Sequence, residues 1–289
     1  MHIQAHSFYR RLLPEYYQTR TELSILELSA GKIMKQMERG SIIELGSGSG
    51  LKIRPLLDEA SGRLQFMEYM PVDICTSSLE LSVRCLTASY PGLSVTPRAA
   101  DFNSSEFCRR LEMAASGRDK LILFLGGTIG NMDETESAVF LENIGQVMTS
   151  RDRFLIGMDM IKPKEVLEAA YNDSQGITAE FNRNILCALN SKFNAGFDVS
   201  CFEHQAFYDE EKERVEMHLR AKRDMCTPLK GLDVFLSMKK GETIRTEICR
   251  KFTREKIEDM AARAGLRTTR HFTDDRGWFA LVEMIKDVQ

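Results

Sequence analysis

Residues 41–52 are SIIELGSGSGLK, a short apolar run followed at once by a glycine-rich turn. The run predicts a buried strand over residues 41–46, and the segment after the turn predicts a helix over 51–60. Gly46 and Gly48 let the backbone pass close to a ligand, and a helix N-terminus supplies free N–H groups. This order is typical of a nucleotide-binding turn, although GxGxG alone is also compatible with an ordinary turn.

The pattern around this turn alternates between β-rich runs and longer helical segments. Strands are predicted at 64–73, 93–97, 120–125 and 153–160, and helices at 77–88, 104–115 and 134–149. Such alternation predicts an α/β fold, with a parallel sheet covered by helices on both faces.

The rhythm changes after residue 161. The remaining predicted elements are helical segments over 162–200 and 253–264, antiparallel strands within 211–226 and 232–250, and a last strand of the first sheet over 277–285. We therefore expect an inserted second domain of mixed α and β structure. The expected domains are residues 21–161 with 252–289, and residues 1–20 with 162–251.

Composition excludes several classes of function. The chain has 289 residues and a formal net charge of -3, so it offers no basic excess for nucleic acid. Its apolar runs are too short to cross a membrane, and its start lacks the layout of a signal peptide. The seven cysteines and five histidines show no metal-ligand spacing, so no metal is expected. We expect a monomer in the cytoplasm with no nucleic-acid or membrane partner.

Acidic residues follow the next two predicted strands. Asp73 ends the second strand, where a carboxylate can accept both hydroxyls of a ribose. Asp101 and Phe102 follow the third strand, and they could bind an adenine amino group and pack on its ring. Each aspartate alone could equally be a solvated loop residue or a helix cap. Together with the glycine turn, they predict an adenosine site.

Two adenosine cofactors compete for this site. NAD requires a GxGxxG turn for its pyrophosphate, whereas this turn is GSGSG, followed by Leu51 and Lys52. Glu44, just before the first glycine, would repel a diphosphate. S-adenosylmethionine has no phosphate and carries a positive sulfonium, so we favour it over NAD.

Six motifs then point to one family. They are LPEYYQTRTE (13–22), ELGSGSGLK (44–52), YMPVDIC (69–75), FLGGTIGN (124–131), AAYNDSQGITAEFNRNIL (169–186) and GETIRTEICRK (241–251). In this order they resemble the histidine Nα-methyltransferase family of ergothioneine biosynthesis, from about residue 8 to the C-terminus. The resemblance implies a Rossmann-like class I methyltransferase sheet with an inserted α+β substrate-binding domain.

The resemblance also implies roles for individual residues. At the cofactor, Tyr16 or Tyr17, Gly46 and Lys52 would approach the methionine portion, Asp73 the ribose, and Asp101 with Phe102 the adenine. At the acceptor, Gly126 and Asn131 would lie near the α-amine, Tyr171 at the carboxylate, Met217 at the side chain and Glu247 at the imidazole. Cys249 stands where the family has a serine, and a thiol is the weaker hydrogen-bond partner.

Asn131 suits a zwitterionic amino acid, because its side-chain amide can accept from an amine and donate to a carboxylate. The alternative is a helix N-cap or turn asparagine. The attacking amine must lose a proton, and we expect it to leave through Tyr16 or Tyr17, or through water. The expected product is trimethylhistidine (hercynine). Tryptophan or another amine as acceptor, an NAD-dependent enzyme and a catalytically inactive cofactor-binding protein remain the alternatives.

Overall fold

The computed structural model describes residues 13–102, 104 and 119–287, and nearly all of the helix predicted over 104–115 lies outside them. The chain forms two compact units. The larger unit contains Thr21–Met160 and Phe252–Gln289, and the smaller unit contains Met1–Arg20 and Ile161–Lys251. Each unit has its own sheet, and each is described by itself.

The larger unit is built on one mixed sheet. Its strands are β1 (Gly40–Leu45), β2 (Met67–Asp73), β3 (Ser94–Val95), β4 (Arg98–Ala99), β5 (Lys120–Phe124), β6 (Arg153–Asp159), β12 (Leu266–Thr273) and β13 (Phe279–Lys286). They lie in the order β12-β13-β6-β5-β1-β2-β3, and β4 pairs with β2. The strands from β1 to β6 pair in parallel, whereas β13 and β12 are antiparallel additions at one edge. The predicted α/β class is therefore confirmed.

Helices cover both faces of this sheet. They are α1 (Tyr17–Met34), α2 (Arg54–Glu59), α3 (Thr76–Ser89), α4 (Glu134–Val147) and α7 (Arg254–Arg263). On one face, Ile42 and Leu123 of the sheet share a core with Leu26 of α1. On the other face, Ile43 of the sheet shares a core with Leu141 of α4. Because successive strand residues point to opposite faces, runs such as KLILF bury every side chain.

Three elements of this unit differ from the sequence-based expectation. The second strand begins at Met67, because residues 61–66 form a 3₁₀ helix instead. Helix α2 begins at Arg54 rather than at residue 51. Strand β12 was not predicted, because its sequence, LRTTRHFT, is mostly polar. It is an edge strand, and its first residue is the only one of the eight that is buried.

The described part of the smaller unit, residues 13–20 and 161–251, combines helices with antiparallel strands. Its helices are α5 (Lys164–Ala169) and α6 (Ile177–Phe193), and its strands are β7 (Phe202–Asp209), β8 (Arg214–Ala221), β9 (Met225–Leu229), β10 (Val234–Met238) and β11 (Thr243–Arg250). One sheet has the order β11-β8-β7, and β9 pairs with β10 in a separate ribbon. The predicted helical segment 162–200 is interrupted before α6 by Gly176, whose φ of 71° requires the left-handed conformation. Leu186, Phe202 and Leu219 lie in the core of this unit.

Neither unit contains a described helix that is long and apolar enough to cross a membrane. Across residues 13–102, 104 and 119–287, no cluster of histidine, cysteine and acidic side chains could hold a metal ion.

Candidate active site

The glycine turn lies where the parallel strands of the larger unit end. Gly46 and Gly48, which follow β1, have φ values of 68° and 52° that favour glycine. The amides of Gly46 and Ser47 donate to the carbonyl of Val72 at 2.8 and 3.1 Å, which ties the turn to the end of β2. A Cβ at Gly48 would meet no atom of residues 13–102, 104 and 119–287 within 4 Å. Within this described part of the chain, the turn therefore presents bare backbone to an open space.

Asp73, the last residue of β2, is part of the same turn. Its Oδ2 accepts the Gly48 amide at 2.9 Å, and its Oδ1 accepts the Cys75 amide at 2.9 Å. A carboxylate oxygen has two acceptor positions, so each oxygen can accept one further hydrogen bond. Asp73 can therefore fix the turn and still bind two hydroxyl groups.

Phe102 forms a wall beside the turn. Its ring carbon Cε1 lies 3.6 Å from the position that a Cβ at Gly46 would occupy. The ring is held edge-on by Phe124, with centroids 5.3 Å apart, and by Phe140, at 6.2 Å. Asp101, next to it, is exposed. The structure thus brings Gly46, Asp73 and Phe102 together, as an adenosine site requires.

A buried carboxylate that the sequence analysis did not identify lies under this edge of the sheet. Glu22 of α1 has no exposed surface. Its oxygens accept the Gly126 amide at 2.7 and 2.9 Å, and Oε2 lies 2.5 Å from Nζ of Lys52. Because Ile25 and Leu26 are buried on the same helix, three and four residues further on, Glu22 occupies the buried stripe of α1. The sequence signal that could have identified Glu22 was an acidic residue on the apolar face of a predicted helix.

Glu44, the acid before the glycine turn, is buried within β1. It accepts the hydroxyl of Tyr69 at 2.5 Å. Burial raises the pKa of Glu44 to about 7, an effect that the Tyr69 hydroxyl and the charge of Lys52 only partly offset. Glu22 and Asp73 also raise the Glu44 pKa, which places these carboxylates within electrostatic range of one another.

Asn131 ends a 3₁₀ helix over Thr128–Asn131, just after β5. Its side chain is exposed. The N-cap of the next helix is Asp133, which forms a capping box with Glu136. Asn131 is therefore not the helix N-cap, whereas its place at the end of the 3₁₀ helix agrees with the alternative of a turn asparagine. Gly126, before it, has a φ of 95°, and a Cβ there would lie 2.9 Å from Nζ of Lys52.

The other predicted acceptor residues belong to the smaller unit, as do Tyr16 and Tyr17. Tyr16 is half-buried. Tyr17 is buried, and its hydroxyl oxygen accepts a hydrogen bond of 2.6 Å from Nζ of Lys162, which is also buried. Tyr171 is also buried, and its hydroxyl oxygen accepts Nζ of Lys251 at 3.2 Å. Buried lysines thus position both phenols, although the sequence analysis gave no role to either lysine.

Met217 and Glu247 are opposite each other across strands β8 and β11. A β-bulge lies between Arg245 and Glu247, so the simple alternation expected for this strand is interrupted. Met217 is buried. Cys249, also buried, accepts Nζ of Lys251 at 3.0 Å. The two residues expected at the acceptor side chain are therefore cross-strand neighbours.

Comparisons with known proteins show which family the chain belongs to. A family model described as "Histidine-specific methyltransferase, SAM-dependent" matches residues 9–286. The chain belongs to this family. As a family member, it is an enzyme that uses S-adenosylmethionine as methyl donor, the cofactor that the sequence favoured over NAD.

Curated relatives cover most of the chain. A "Histidine N-alpha-methyltransferase" of Mycolicibacterium smegmatis is 36% identical over 93% of this chain and 82% of the relative. One with the same name from Mycobacterium tuberculosis is 35% identical over the same shares. "Ergothioneine biosynthesis protein 1" of Schizosaccharomyces pombe is 28% identical over 81% of this chain and 31% of that protein.

Solved structures share the methyltransferase fold. An S-adenosylmethionine-dependent methyltransferase from Clostridium acetobutylicum aligns with a TM-score of 0.50 at 11% identity, over 92% of both chains. The PH0226 protein of Pyrococcus horikoshii aligns with a TM-score of 0.53 at 13% identity, over 96% of this chain and 98% of that one.

The turn residues also fit the methyl donor physically. The open space at Gly48 admits a ligand, and Asp73 has acceptor positions for hydroxyls. Among the described residues, the carboxylates of Glu22 and Asp73 lie near the ammonium of Lys52, and this excess of acid suits a cationic sulfonium better than a pyrophosphate.

Proposed function

We propose that this methyltransferase acts on the α-amino group of free histidine and adds three methyl groups in succession, giving trimethylhistidine (hercynine). The observation that carries the proposal is the 36% identity, over 93% of the chain, to a protein named histidine N-alpha-methyltransferase. The pairing of Met217 with Glu247 supports it, because a carboxylate can accept an imidazole N–H. We further propose that the enzyme is a cytoplasmic monomer.

For the methyl donor, we propose that Asp73 binds the ribose hydroxyls while Asp101 and Phe102 bind the adenine. The turn at Gly46 and Gly48 would border the ligand without a Cβ clash. At the methionine end, Lys52 would bind the carboxylate, with Tyr16 or Tyr17 also approaching it. When bound, the methyl donor would supply a methyl group, transferred as a methyl cation equivalent from its sulfur to a neutral nitrogen of the acceptor.

For the acceptor, we propose that Gly126 and Asn131 hold the α-amine and that Tyr171 holds the carboxylate. The Tyr171 oxygen accepts hydrogen bonds from Nζ of Lys251 and Nε2 of Gln18, and a phenol hydroxyl is chemically able to donate one to a carboxylate. Met217, Glu247 and Cys249 would surround the imidazole. We propose that residues 21–161 with 252–289 form the cofactor domain, and residues 1–20 with 162–251 the substrate domain.

The protein must supply alignment and proton removal. In-line transfer requires the nitrogen lone pair, the methyl and the sulfur to be collinear, and such orientation can contribute about 7–11 kcal/mol. The α-ammonium must first lose a proton, and a nearby sulfonium charge lowers its pKa. We propose that this proton leaves directly to water, or through the hydroxyl of Tyr16 or Tyr17, which accepts it while passing its own proton on to water. Each transfer forms a C–N bond, breaks an S–C bond and releases one proton.

The experiment is a mass-spectrometric screen of purified enzyme with S-adenosylmethionine and each proteinogenic amino acid. We expect histidine to gain one, two and then three methyl groups, with no product from tryptophan. The variant Asn131→Ala should lose most of this activity, while its binding of S-adenosylhomocysteine stays close to that of the wild type. Methylation of tryptophan or another amine instead of histidine would refute the proposed acceptor. Absence of any product from histidine, with the cofactor still bound, would refute it as well.

A further inference from the structure

Glu22 is a buried carboxylate without a role in the proposed chemistry. It touches two residues that do have roles, since it binds the Nζ of Lys52 and the amide of Gly126. All three residues lie in the larger unit. A carboxylate with no exposed surface is costly unless it is paired and hydrogen-bonded, and Glu22 is both.

The surrounding backbone makes room for this carboxylate. Gly157 lies within β6 without a positive φ, so its backbone conformation does not require glycine. A Cβ at Gly157 would lie 2.2 Å from Oε1 of Glu22. Glycine in a strand interior weakens the strand, and here it frees the volume that the carboxylate fills. At Gly126, a Cβ would lie 2.9 Å from Nζ of Lys52.

Two consequences follow for Lys52. A lysine side chain is flexible and has three N–H donors, and the contact with Glu22 directs one of them and fixes the ammonium. The remaining donors stay available for a ligand carboxylate. In addition, the Glu22 charge balances the Lys52 charge, which would otherwise repel a sulfonium nearby.

We propose that Glu22 is a positioning residue for the methyl donor, holding Lys52 and the Gly126 amide and compensating the lysine charge. This inference rests on the role proposed above for Lys52. It predicts that Glu22 favours the cationic donor, S-adenosylmethionine, over the neutral product, S-adenosylhomocysteine. A purely structural carboxylate would not discriminate between these two ligands.

The test is calorimetric titration of both ligands into wild type and Glu22→Gln, which keeps the size of the side chain and an oxygen for the Gly126 amide. We expect binding of S-adenosylhomocysteine to weaken about tenfold, because a charged hydrogen bond is lost. Binding of S-adenosylmethionine should weaken about threefold more than binding of S-adenosylhomocysteine does, because the Lys52 charge is no longer balanced and repels the sulfonium.

Asp152 provides a matched control. It has no exposed surface, accepts the Lys120 amide at 2.9 Å and pairs with Nζ of Lys120 at 3.2 Å. It lies just before β6, at the edge of the sheet opposite the glycine turn. Asp152→Asn should therefore lower stability but leave both affinities within about twofold of wild type.

Lys52→Met provides the reciprocal variant, and it remains informative if Glu22→Gln does not fold. Removing the ammonium leaves the Glu22 charge unbalanced, so the preference for S-adenosylmethionine over S-adenosylhomocysteine should increase while both bind more weakly. An unchanged preference in both variants, or an equal effect of Asp152→Asn, would overturn the inference. These titrations contain no acceptor, so their outcome is independent of whether histidine is the substrate.

Discussion

Glu44 should make the larger unit less stable as the pH rises. In the folded protein the pKa of this carboxyl is about 7, against an ordinary 4.5, chiefly because it is buried. The folded state therefore holds the proton more tightly than the unfolded state does. Below about pH 4.5 Glu44 is protonated in both states, and its contribution to the free energy of unfolding is fully present. Between about pH 4.5 and 7 the unfolded state releases the proton first, so the free energy of unfolding falls.

The size of this effect follows from the two pKa values. Each tenfold change in proton affinity is worth about 1.4 kcal/mol. The difference between 4.5 and about 7 therefore corresponds to about 3 kcal/mol of unfolding free energy, lost by about pH 8. Glu44→Gln keeps an acceptor for the Tyr69 hydroxyl but cannot ionise, so this pH-dependent loss should disappear.

Urea unfolding can be followed through Trp278, the single tryptophan of the chain, which lies in the larger unit. The wild type and Glu44→Gln would be compared from pH 4.5 to 8, and the gap between their unfolding free energies should widen by about 3 kcal/mol. In Tyr69→Phe the hydroxyl that lowers the Glu44 pKa is absent, so the loss should extend to higher pH. A constant gap between wild type and Glu44→Gln would refute the reasoning.

Three further predictions concern single side chains. Asp73→Asn keeps only one oxygen for the amides of Gly48 and Cys75, so calorimetry should show binding of S-adenosylhomocysteine weakened about tenfold or more; unchanged binding would contradict the ribose role. Cys249→Ser supplies a stronger hydrogen-bond partner, so steady-state kinetics should give a lower KM for histidine and an unchanged KM for the methyl donor; a higher histidine KM would argue against the imidazole role. Asp133→Ala removes a capping box and should cost about 1 kcal/mol in thermal unfolding without loss of activity, whereas no loss of stability would show that the cap is unimportant.

Much of the arrangement around the glycine turn could be predicted because its residues follow neighbouring parallel strands. The carboxyl ends of such strands lie at one edge of a sheet, so Gly46 and Asp73 must come close to each other once β1 and β2 pair. The positions of these residues at the ends of neighbouring strands were therefore enough to predict that they lie close together. In the structure this proximity appears as the hydrogen bond that the Gly48 amide donates to Asp73.

Glu22 could not be assigned in the same way. Its partners are distant in sequence: Lys52 lies in the turn before α2, and Gly126 lies in the turn after β5. Nothing local links an acid on α1 to a glycine on β6, although Gly157 leaves the space that Glu22 fills. Such a cluster arises only from the packing of α1 against the sheet.

The sequence by itself determined the parallel α/β core, the glycine turn and the family, because strand periodicity and motif order are local properties of the chain. Only the tertiary structure decided which charges are buried and paired: the Glu22–Lys52 pair, the raised pKa of Glu44 and the contact of Lys251 with Tyr171. The physical reason is that burial and pairing depend on neighbours from distant segments, and a charge acquires its energetic role only when packing removes it from water.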